Sequence, residues 1–358
     1  MSLHGYPLFV KNSSGYFGGA ELQISLIVKE LIKDKRFKVS LITGDYGQPN
    51  VVKMGRLTIY KCFRKKFHRF IELPRAALVA KKISADVYVG RTASNLLWLM
   101  ALFCRIFNKK LVYMVAHDWD CQKKFFNPLT RVNRQAFYRA LKLADLIIAQ
   151  TQKQKTMLKK NFGLESTLMR SLAQPPKAIK TSKKDVILWV GRADKWKRPL
   201  EFIKLARMLP QEKFVMICRK GLDAQLFSQT LRLARSQKNI EFIESVSFEK
   251  ISQFFSQAKV FVNTSIAEGF PNTFLQSGLA KTPVLSLKVN PDGYSDRFSC
   301  GLTAKNDFKL MVKSAHQMLK NEKGLKLMGQ NHYNYVAENH SLKNINIFKA
   351  AVVKCLKD

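Results

Sequence analysis

A chain of 358 residues, 46% of them hydrophobic, is long enough for two globular domains and excludes a largely disordered protein. Its formal net charge of +37 predicts anionic partners, namely nucleic acid, an anionic membrane surface or phosphorylated substrates. The longest apolar run, residues 96–104, is far shorter than the about 20 residues needed to cross a bilayer, and no signal peptide is evident. Six scattered cysteines without metal-site spacing predict reduced thiols in a cytoplasmic protein.

The first part of the chain alternates short apolar runs with helical patterns. Residues 8–10 are predicted to form a strand, which leads through a glycine-rich loop at 12–19 into a helix at 20–32. A further helix is predicted at 94–107 and further strands at 39–42, 86–89, 111–115 and 146–149. This alternation indicates a parallel, doubly wound sheet, in which ligands gather at the carboxyl ends of the strands.

A second α/β region follows residues 171–184, which contain paired prolines and small polar residues and are predicted to be a linker. Strands are predicted at 186–190, 214–218, 240–243, 259–262 and 284–287. Amphipathic helices are predicted at 305–320 and 343–356. The chain therefore reads as two domains, residues 1–170 and 185–342, joined by the linker.

The strongest candidate for a ligand site is residues 263–283. Here an apolar strand leads into a turn with Gly269, and Pro271 stands at the predicted first position of a helix. Such a turn exposes backbone N–H groups at a helix N-terminus, where phosphate binds, and the carboxylate of Glu268 lies just before it. The alternative is an ordinary strand–helix turn. The loop at Gly18 and Gly19 has the same features, and glycine lets the backbone approach a ligand closely.

Two more strand ends carry candidate residues. Arg192 and Lys197 follow the strand at 186–190, and a planar guanidinium with a mobile ammonium suits a diphosphate. The alternative is a solvated basic turn. His117 ends the strand at 111–115, and the neighbouring Asp118 could either cap the next segment or reach an acceptor.

These motifs resemble those of the retaining glycosyltransferases of family four. The matching segments are G-G-A-E from Gly18, H-D-W from His117, G-R-x-x-x-x-K ending at Lys197, and E-G-F-P-N from Glu268. The resemblance implies the GT-B architecture, in which two doubly wound, Rossmann-like α/β domains face each other across a cleft. It also implies that a C-terminal helix, residues 343–358 here, packs back on the first domain.

The resemblance further implies the roles of individual residues. Glu268 would contact the donor sugar, Arg192 and Lys197 would neutralise the nucleotide diphosphate, and His117 would touch the donor sugar near its reacting carbon. Gln276 stands where the family has a second acid that binds the ribose, and its amide oxygen can still accept one hydrogen bond. The remaining donor-binding candidates are Gly18, Gly19, Gly269, Phe270, Pro271 and Asn272.

Two loops depart from the family pattern. Glu244 stands where a glycine is usual near the nucleobase, so the sequence does not identify the base. The strand at 214–218 meets Arg219 and Lys220 instead of a small glycine-rich loop, and either side chain could add a diphosphate contact. No D-x-D motif of a metal-dependent transferase is present, so we expect catalysis without a metal or other cofactor.

Residues 61–82 form a basic segment with aromatic residues at helical spacing. One interpretation is an amphipathic helix on an anionic membrane, with Phe63 as an anchor. The other is a helix whose phenylalanines pack into the domain core. The membrane-facing candidates are Arg64, Lys65, Lys66 and Arg69. Residues 121–142 are a second basic candidate.

The sequence thus predicts a retaining, metal-independent glycosyltransferase with a nucleotide-diphosphate sugar as donor. The expected acceptor is a cell-surface glycan or a polyprenyl- or lipid-linked glycan, reached from the cytoplasm or from the inner membrane face. No nucleic-acid-binding module is evident, so nucleic acid is not an expected partner. The alternatives are a GT-B sugar-nucleotide epimerase and a non-enzymatic membrane or nucleic-acid adaptor; a nicotinamide enzyme would need G-x-G-x-x-G in the first loop, which is absent.

Overall fold

A computed structural model describes residues 1–10, 18–63, 69–91, 93–123, 131–176, 183–247 and 250–357, with the backbone alone at 69–73, 95 and 131–133. The chain divides into two compact units. Unit 1 comprises residues 1–172 and 342–358, and unit 2 comprises residues 173–341. The first boundary falls within the predicted linker, of which residues 177–182 lie outside the described residues.

Unit 1 contains two sheets. A three-stranded sheet has the order β1-β3-β2, with β2 antiparallel to β3, and a parallel four-stranded sheet has the order β4-β5-β6-β7. The strands are β1 (Val39–Gly44), β2 (Val51–Met54), β3 (Leu57–Phe63), β4 (Val87–Gly90), β5 (Lys110–Met114), β6 (Leu146–Ala149) and β7 (Thr167–Leu168). The helices are α1 (Gly19–Leu31), α2 (Arg69–Ile83), α3 (Asn95–Ile106), α4 (Arg131–Lys142) and α5 (Gln152–Phe162).

The strand predicted at residues 8–10 is wrong. Tyr6–Leu8 form a 3-10 turn that packs against the core of unit 1, and its Pro7 suits the start of a helical turn. Three apolar residues are too few to distinguish a strand from a turn that buries them. Residues 1–3 lie between the two sheets instead, because Ser2 N donates to Ile42 O (3.0 Å) and the Met1 amino group donates to Val89 O (2.7 Å).

The prediction of one helix over residues 61–82 is wrong at its start. Residues 61–63 end β3, and Cys62 and Phe63 are fully buried in unit 1. Strands β2 and β3 were not predicted; they join through a tight turn at Gly55, where φ is +56° and glycine is therefore favoured. The membrane-facing candidates Arg64, Lys65 and Lys66 lie outside the described residues, as does the side chain of Arg69.

Unit 2 is built on one parallel six-stranded sheet in the order β10-β9-β8-β11-β12-β13. Its strands are β8 (Val186–Arg192), β9 (Lys213–Arg219), β10 (Ile240–Ile243), β11 (Ala258–Asn263), β12 (Val284–Ser286) and β13 (Gly301–Thr303). Its helices are α6 (Pro199–Met208), α7 (Ala224–Arg235), α8 (Ile251–Gln257), α9 (Asn272–Leu279), α10 (Tyr294–Arg297), α11 (Phe308–Lys320) and α12 (Glu322–Asn339). Strand β13 and helix α12 were not predicted.

Both faces of this sheet are covered. Along β8, Ile187 and Trp189 enter one apolar cluster and Leu188 enters the other, as the alternation of a strand requires.

The last helix, α13 (Ile345–Lys357), belongs to unit 1, where Phe348 and Val352 share an apolar cluster with residues of α1. Each unit is therefore a Rossmann-like layered α/β structure.

The strand order of unit 2 contains a reversal. The chain runs outward from β8 to β10 and then returns to the other side of β8 at β11. The loops after β8 and β11 therefore leave the sheet in opposite directions and open a crevice at the carboxyl ends of the strands. This switch point is where ligands bind in sheets of this kind.

Candidate active site

Two loops flank the switch point of unit 2, residues 193–198 after β8 and residues 264–271 after β11. The strands are parallel neighbours, with Ile187 paired to Val260. Hydrogen bonds also join the loops: Ile266 N donates to Trp196 O (2.9 Å), and the Thr264 hydroxyl donates to Lys197 O (2.6 Å). The two loops are thereby held as one rigid edge.

Lys197 and Glu268 meet at this edge. The Lys197 ammonium donates a hydrogen bond to Oε1 of Glu268, and the Ser265 hydroxyl donates to the same oxygen (2.9 Å). The Lys197 side chain is 23% exposed and that of Glu268 is 12% exposed, so solvent screens the pair only partly. The carboxylate is thus fixed by two donors, and the cation beside it remains accessible.

Arg192, at the end of β8, faces a different acid. Its Nη2 lies 2.7 Å from Oδ2 of Asp194 as an ion pair, although the two atoms are not aligned as a hydrogen bond. Half of the Arg192 side chain is exposed, whereas the Asp194 side chain is buried. Oδ1 of Asp194 also accepts a hydrogen bond from Leu222 N (3.1 Å), so this acid links the loop after β9 to the end of β8.

The close approach of that loop depends on Gly221. A Cβ atom at this position would lie 2.4 Å from Oδ1 of Asp194 and 2.5 Å from Ala193 O. Of the two extra cations predicted here, Arg219 donates to Val246 O (2.9 Å) and is therefore engaged with the backbone. Glu244 is exposed and lies 3.8 Å from Arg235.

Helix α9 begins directly after Glu268. Pro271 is its N-cap, with φ −62° and ψ 131°, so the prediction that proline occupies the first helical position is wrong by one residue. The positive end of the helix dipole is nevertheless at this edge, close to Gly269 and Asn272. Phe270 is buried against Tyr294, with 5.3 Å between the ring centroids, so only its backbone is available to a ligand.

Gln276 lies in the second turn of α9 and is partly exposed. Its backbone oxygen accepts a hydrogen bond from Ala280 N (3.2 Å), and its side chain forms no hydrogen bond with any described residue. Its side-chain amide is therefore available for the ribose contact that the family resemblance implies.

In unit 1, His117 follows β5 and caps a short 3-10 turn, Asp118–Cys121. Its Nδ1 accepts a hydrogen bond from Trp119 N (3.2 Å), which places the proton of the neutral ring on Nε2. Asp118 neither caps this turn nor points freely to solvent, because it pairs with Lys153 (2.7 Å) and accepts from Gln154 (3.0 Å).

Gly18 is the N-cap of α1, and its N–H donates to Oε2 of Glu21 (2.9 Å). Gly19 is the first residue of that helix. Three residues that orient the candidates were not predicted, namely Asp194, Thr264 and Ser265. The acidic residue two positions after Arg192 and the S-x-x-E spacing that ends at Glu268 are the signals that could have identified two of them.

Two family models match this chain, and their matches together span most of it. Residues 17–170 match Glycosyltransferase Family 4, and residues 172–335 match Glycosyl transferases group 1. The chain belongs to the group 1 glycosyltransferases. No curated protein gives a significant match to the sequence.

Solved structures with the fold of this glycosyltransferase cover nearly the whole chain. Sucrose-phosphate synthase from Thermosynechococcus elongatus has a TM-score of 0.78 and 14% identity, with 95% of this chain and 94% of that one covered. The UDP-forming trehalose-phosphate synthase from Burkholderia xenovorans, solved with glucose-6-phosphate, has a TM-score of 0.74 and 13% identity over 98% of both chains. Anabaena HepE, solved with UDP, has a TM-score of 0.68 and 16% identity over 96% and 98%. These likenesses confirm the predicted GT-B fold.

The part of the glycosyltransferase that the structure describes contains neither a cluster of metal ligands nor a candidate membrane span. No three His, Cys, Asp or Glu side chains there are grouped so that they could hold a metal ion. Among the same residues, no helix combines the length and hydropathy that a membrane span requires.

Proposed function

We propose that this glycosyltransferase binds a nucleotide-diphosphate sugar at the switch point of unit 2 and transfers the sugar with retention of configuration, without a metal ion. The observation that carries the proposal is the convergence of Arg192, Lys197, Glu268 and the N-terminus of α9 on one sheet edge. Two cations and a helix dipole supply positive charge for a diphosphate. A fixed carboxylate supplies an acceptor for sugar hydroxyls.

Each group has a distinct task in this proposal. The diphosphate displaces Glu268 as the partner of Lys197 and binds Arg192 in bidentate fashion. The freed carboxylate of Glu268 then accepts hydrogen bonds from the donor sugar, and Gln276 accepts one from the ribose. Charge builds up on the leaving diphosphate as the glycosidic bond lengthens, and prepositioned cations stabilise that charge more than they stabilise the bound donor.

The proposed transfer occurs on one face of the sugar. The bond between the anomeric carbon and the diphosphate oxygen breaks, and the acceptor hydroxyl forms its bond from the same side. The proton of that hydroxyl passes to the leaving phosphate oxygen, so no protein base is required.

A UDP-sugar is the donor that we propose to test first. HepE was solved with UDP, and the Burkholderia enzyme is UDP-forming.

For the acceptor, we propose a cell-surface or lipid-linked glycan reached at an anionic membrane face, on the basis of the +37 charge. Sedimentation with vesicles that contain phosphatidylglycerol tests this part, and failure to bind at low salt would exclude the membrane role.

The decisive experiment is a thermal-shift panel with UDP-, GDP-, dTDP- and ADP-sugars. The true donor should raise the Tm in proportion to the logarithm of its concentration over its Kd. Arg192→Ala should abolish that rise, while Arg207→Ala, which removes the same charge from an exposed position of α6, should retain it. Equal shifts in both variants, or no shift with any donor in the wild type, would contradict the proposal.

A further inference from the structure

Unit 1 contains a buried arginine that has no hydrogen-bond or ion-pair partner among the described residues. Arg91 directly follows β4 and is 5% exposed. Its Nε atom is buried without a hydrogen-bond acceptor, and its guanidinium forms no ion pair with any described residue. Since a guanidinium carries five N–H donors and buried polar groups are almost always paired, such an arginine requires an explanation.

The buried acid whose charge acts on Arg91, Asp120, is already occupied. Gly90 pairs with Tyr113 of β5, and the Tyr113 hydroxyl donates to Oδ2 of Asp120 (2.9 Å). The same oxygen accepts hydrogen bonds from Ala116 N (2.9 Å) and His117 N (3.1 Å). Asp120 therefore holds the turn that carries His117 and acts on Arg91 through its charge alone, without a hydrogen bond or an ion pair.

The charge of Arg91 persists at neutral pH. Burial lowers the pKa of Arg91 to about 10, and the acidic groups of Tyr113, Asp120 and Glu21 oppose this effect. A buried cation without a partner destabilises the folded state. Proteins retain such unfavourable groups mainly where function needs them.

The position of Arg91 suggests what that function is. β4 and β5 are parallel neighbours, so Arg91 and His117 follow adjacent strands at the same edge of the sheet. Ligands bind at this edge in α/β units. A guanidinium binds phosphate or carboxylate in bidentate fashion, and low solvent access strengthens that attraction.

We propose that Arg91 binds an oxyanion, either phosphate or carboxylate, carried by the acceptor sugar. This inference rests on the proposed function, because it assigns the acceptor subsite of the same reaction. It makes Arg91 a specificity-determining residue that favours acidic acceptors over neutral ones. The donor site, which lies in unit 2, is independent of it.

The test compares Arg91→Met with Arg105→Met, which removes the same charge from an exposed position of α3. In thermal-shift titrations with inorganic phosphate, the wild type and Arg105→Met should be stabilised alike, and Arg91→Met should lose most of that response. Without ligand, Arg91→Met should be at least as stable as the wild type, because it removes an unpaired buried charge. All three proteins should bind UDP with the same affinity.

Rates with a hexose 6-phosphate, a hexuronate and the neutral hexose identify the anion. We expect Arg91→Met to raise KM at least tenfold for one of the two acidic acceptors and to leave the neutral one unchanged. Arg91→Lys retains the charge and covers the case in which the methionine variant does not fold; it should show an intermediate loss. An undiminished phosphate response in Arg91→Met or Arg91→Lys, or no response in the wild type, overturns the inference. Failure of the wild type to bind any of the four nucleotide sugars would instead overturn the proposed function.

Discussion

The ammonium of Lys197 and the carboxylate of Glu268 form an ion pair although 71 residues separate them in the chain. The pair exists because β8 and β11 are adjacent parallel strands, so their carboxyl ends deliver one residue each to the same edge. Ser265 holds the carboxylate from the other side. Each charge therefore fixes the position of the other until a competing ligand enters, and both residues should matter for donor binding.

Replacement of Lys197 by methionine should reduce kcat/KM for the nucleotide sugar by about 100-fold or more, the usual effect of removing one stabilising donor from a transition state. The side chain keeps its length and loses the charge that we propose meets the diphosphate. Lys204→Met removes an exposed lysine of α6 and should leave the rate nearly unchanged. Initial-rate measurements decide the matter, and a loss below threefold in Lys197→Met would argue against the assigned role.

Asp194→Asn should weaken donor binding indirectly. The amide retains an oxygen for the hydrogen bond from Leu222 N but loses the charge that holds Arg192. We expect KM for the donor to rise by about threefold, because an ion pair with a half-exposed arginine is worth about 0.2–1 kcal/mol, while Tm changes little. Asp185→Asn, at an exposed ion pair with Lys213, is the matched control. If KM is unchanged in Asp194→Asn, Arg192 does not depend on this acid.

Gln276→Glu should increase affinity for the nucleotide. A carboxylate offers two acceptor oxygens and forms stronger hydrogen bonds with ribose hydroxyls than an amide does. The expected gain is about tenfold in Kd, and Gln276→Ala should lose a similar factor. Isothermal titration with UDP measures both changes. Weaker binding by the glutamate variant would show that Gln276 contacts a negatively charged part of the ligand.

Sequence patterns predicted the strands and the candidate residues at the edge of unit 2 better than the contacts around them. Strands β8 and β11 are apolar runs, which the sequence alone predicts to be buried strands. Arg192, Lys197 and Glu268 follow these strands at the spacing of the family motifs. Asp194 was not predicted because its linking role depends on the hydrogen bond from Leu222 N, a contact that only the fold creates. Arg91 was not predicted either, because it is distinguished by burial without a bond to any described residue, and burial is not visible in the sequence.

The errors in unit 1 have similar causes. Residues 61–63 fit a helical pattern of aromatic residues, yet pairing with β1 makes them part of a strand. Tertiary pairing overrides short periodic patterns, so three to five residues cannot establish an element. Helix α12 was missed because much of its surface is polar, and its buried face is defined by contact with α9.

Acid should destabilise the fold through His332. Its Nδ1 is 2.9 Å from Thr282 O, to which it must donate, and its Nε2 is buried without a partner. Burial lowers the pKa of His332 to about 4, so the native state resists protonation that the unfolded chain accepts below its ordinary value of 6.5. Stability is therefore complete above pH 6.5 and falls as the pH drops towards 4, by on the order of 3 kcal/mol.

Urea unfolding at pH 7 and pH 4.5 measures this effect. His332→Gln should lose less stability between the two pH values than the wild type, because the amide does not titrate. His316→Gln, on the exposed face of α11, should behave as the wild type does. An equal acid-induced loss in His332→Gln would assign the sensitivity to other groups.

Gly329→Ala should destabilise the protein, although the same change in an open helix stabilises it by about 1 kcal/mol. A Cβ atom at this position in α12 would lie 2.2 Å from Lys281 O, a backbone atom just after α9 that cannot move without shifting that helix. We expect a loss of about 1–3 kcal/mol in the free energy of unfolding, as for other overpacked sites. Gly324→Ala, in the same helix, meets only the Asn321 side chain and should cost much less. Because we propose that the N-terminus of α9 faces the donor, Gly329→Ala should also raise KM for the donor. A variant as stable as the wild type would show that the two helices are not held this closely in solution.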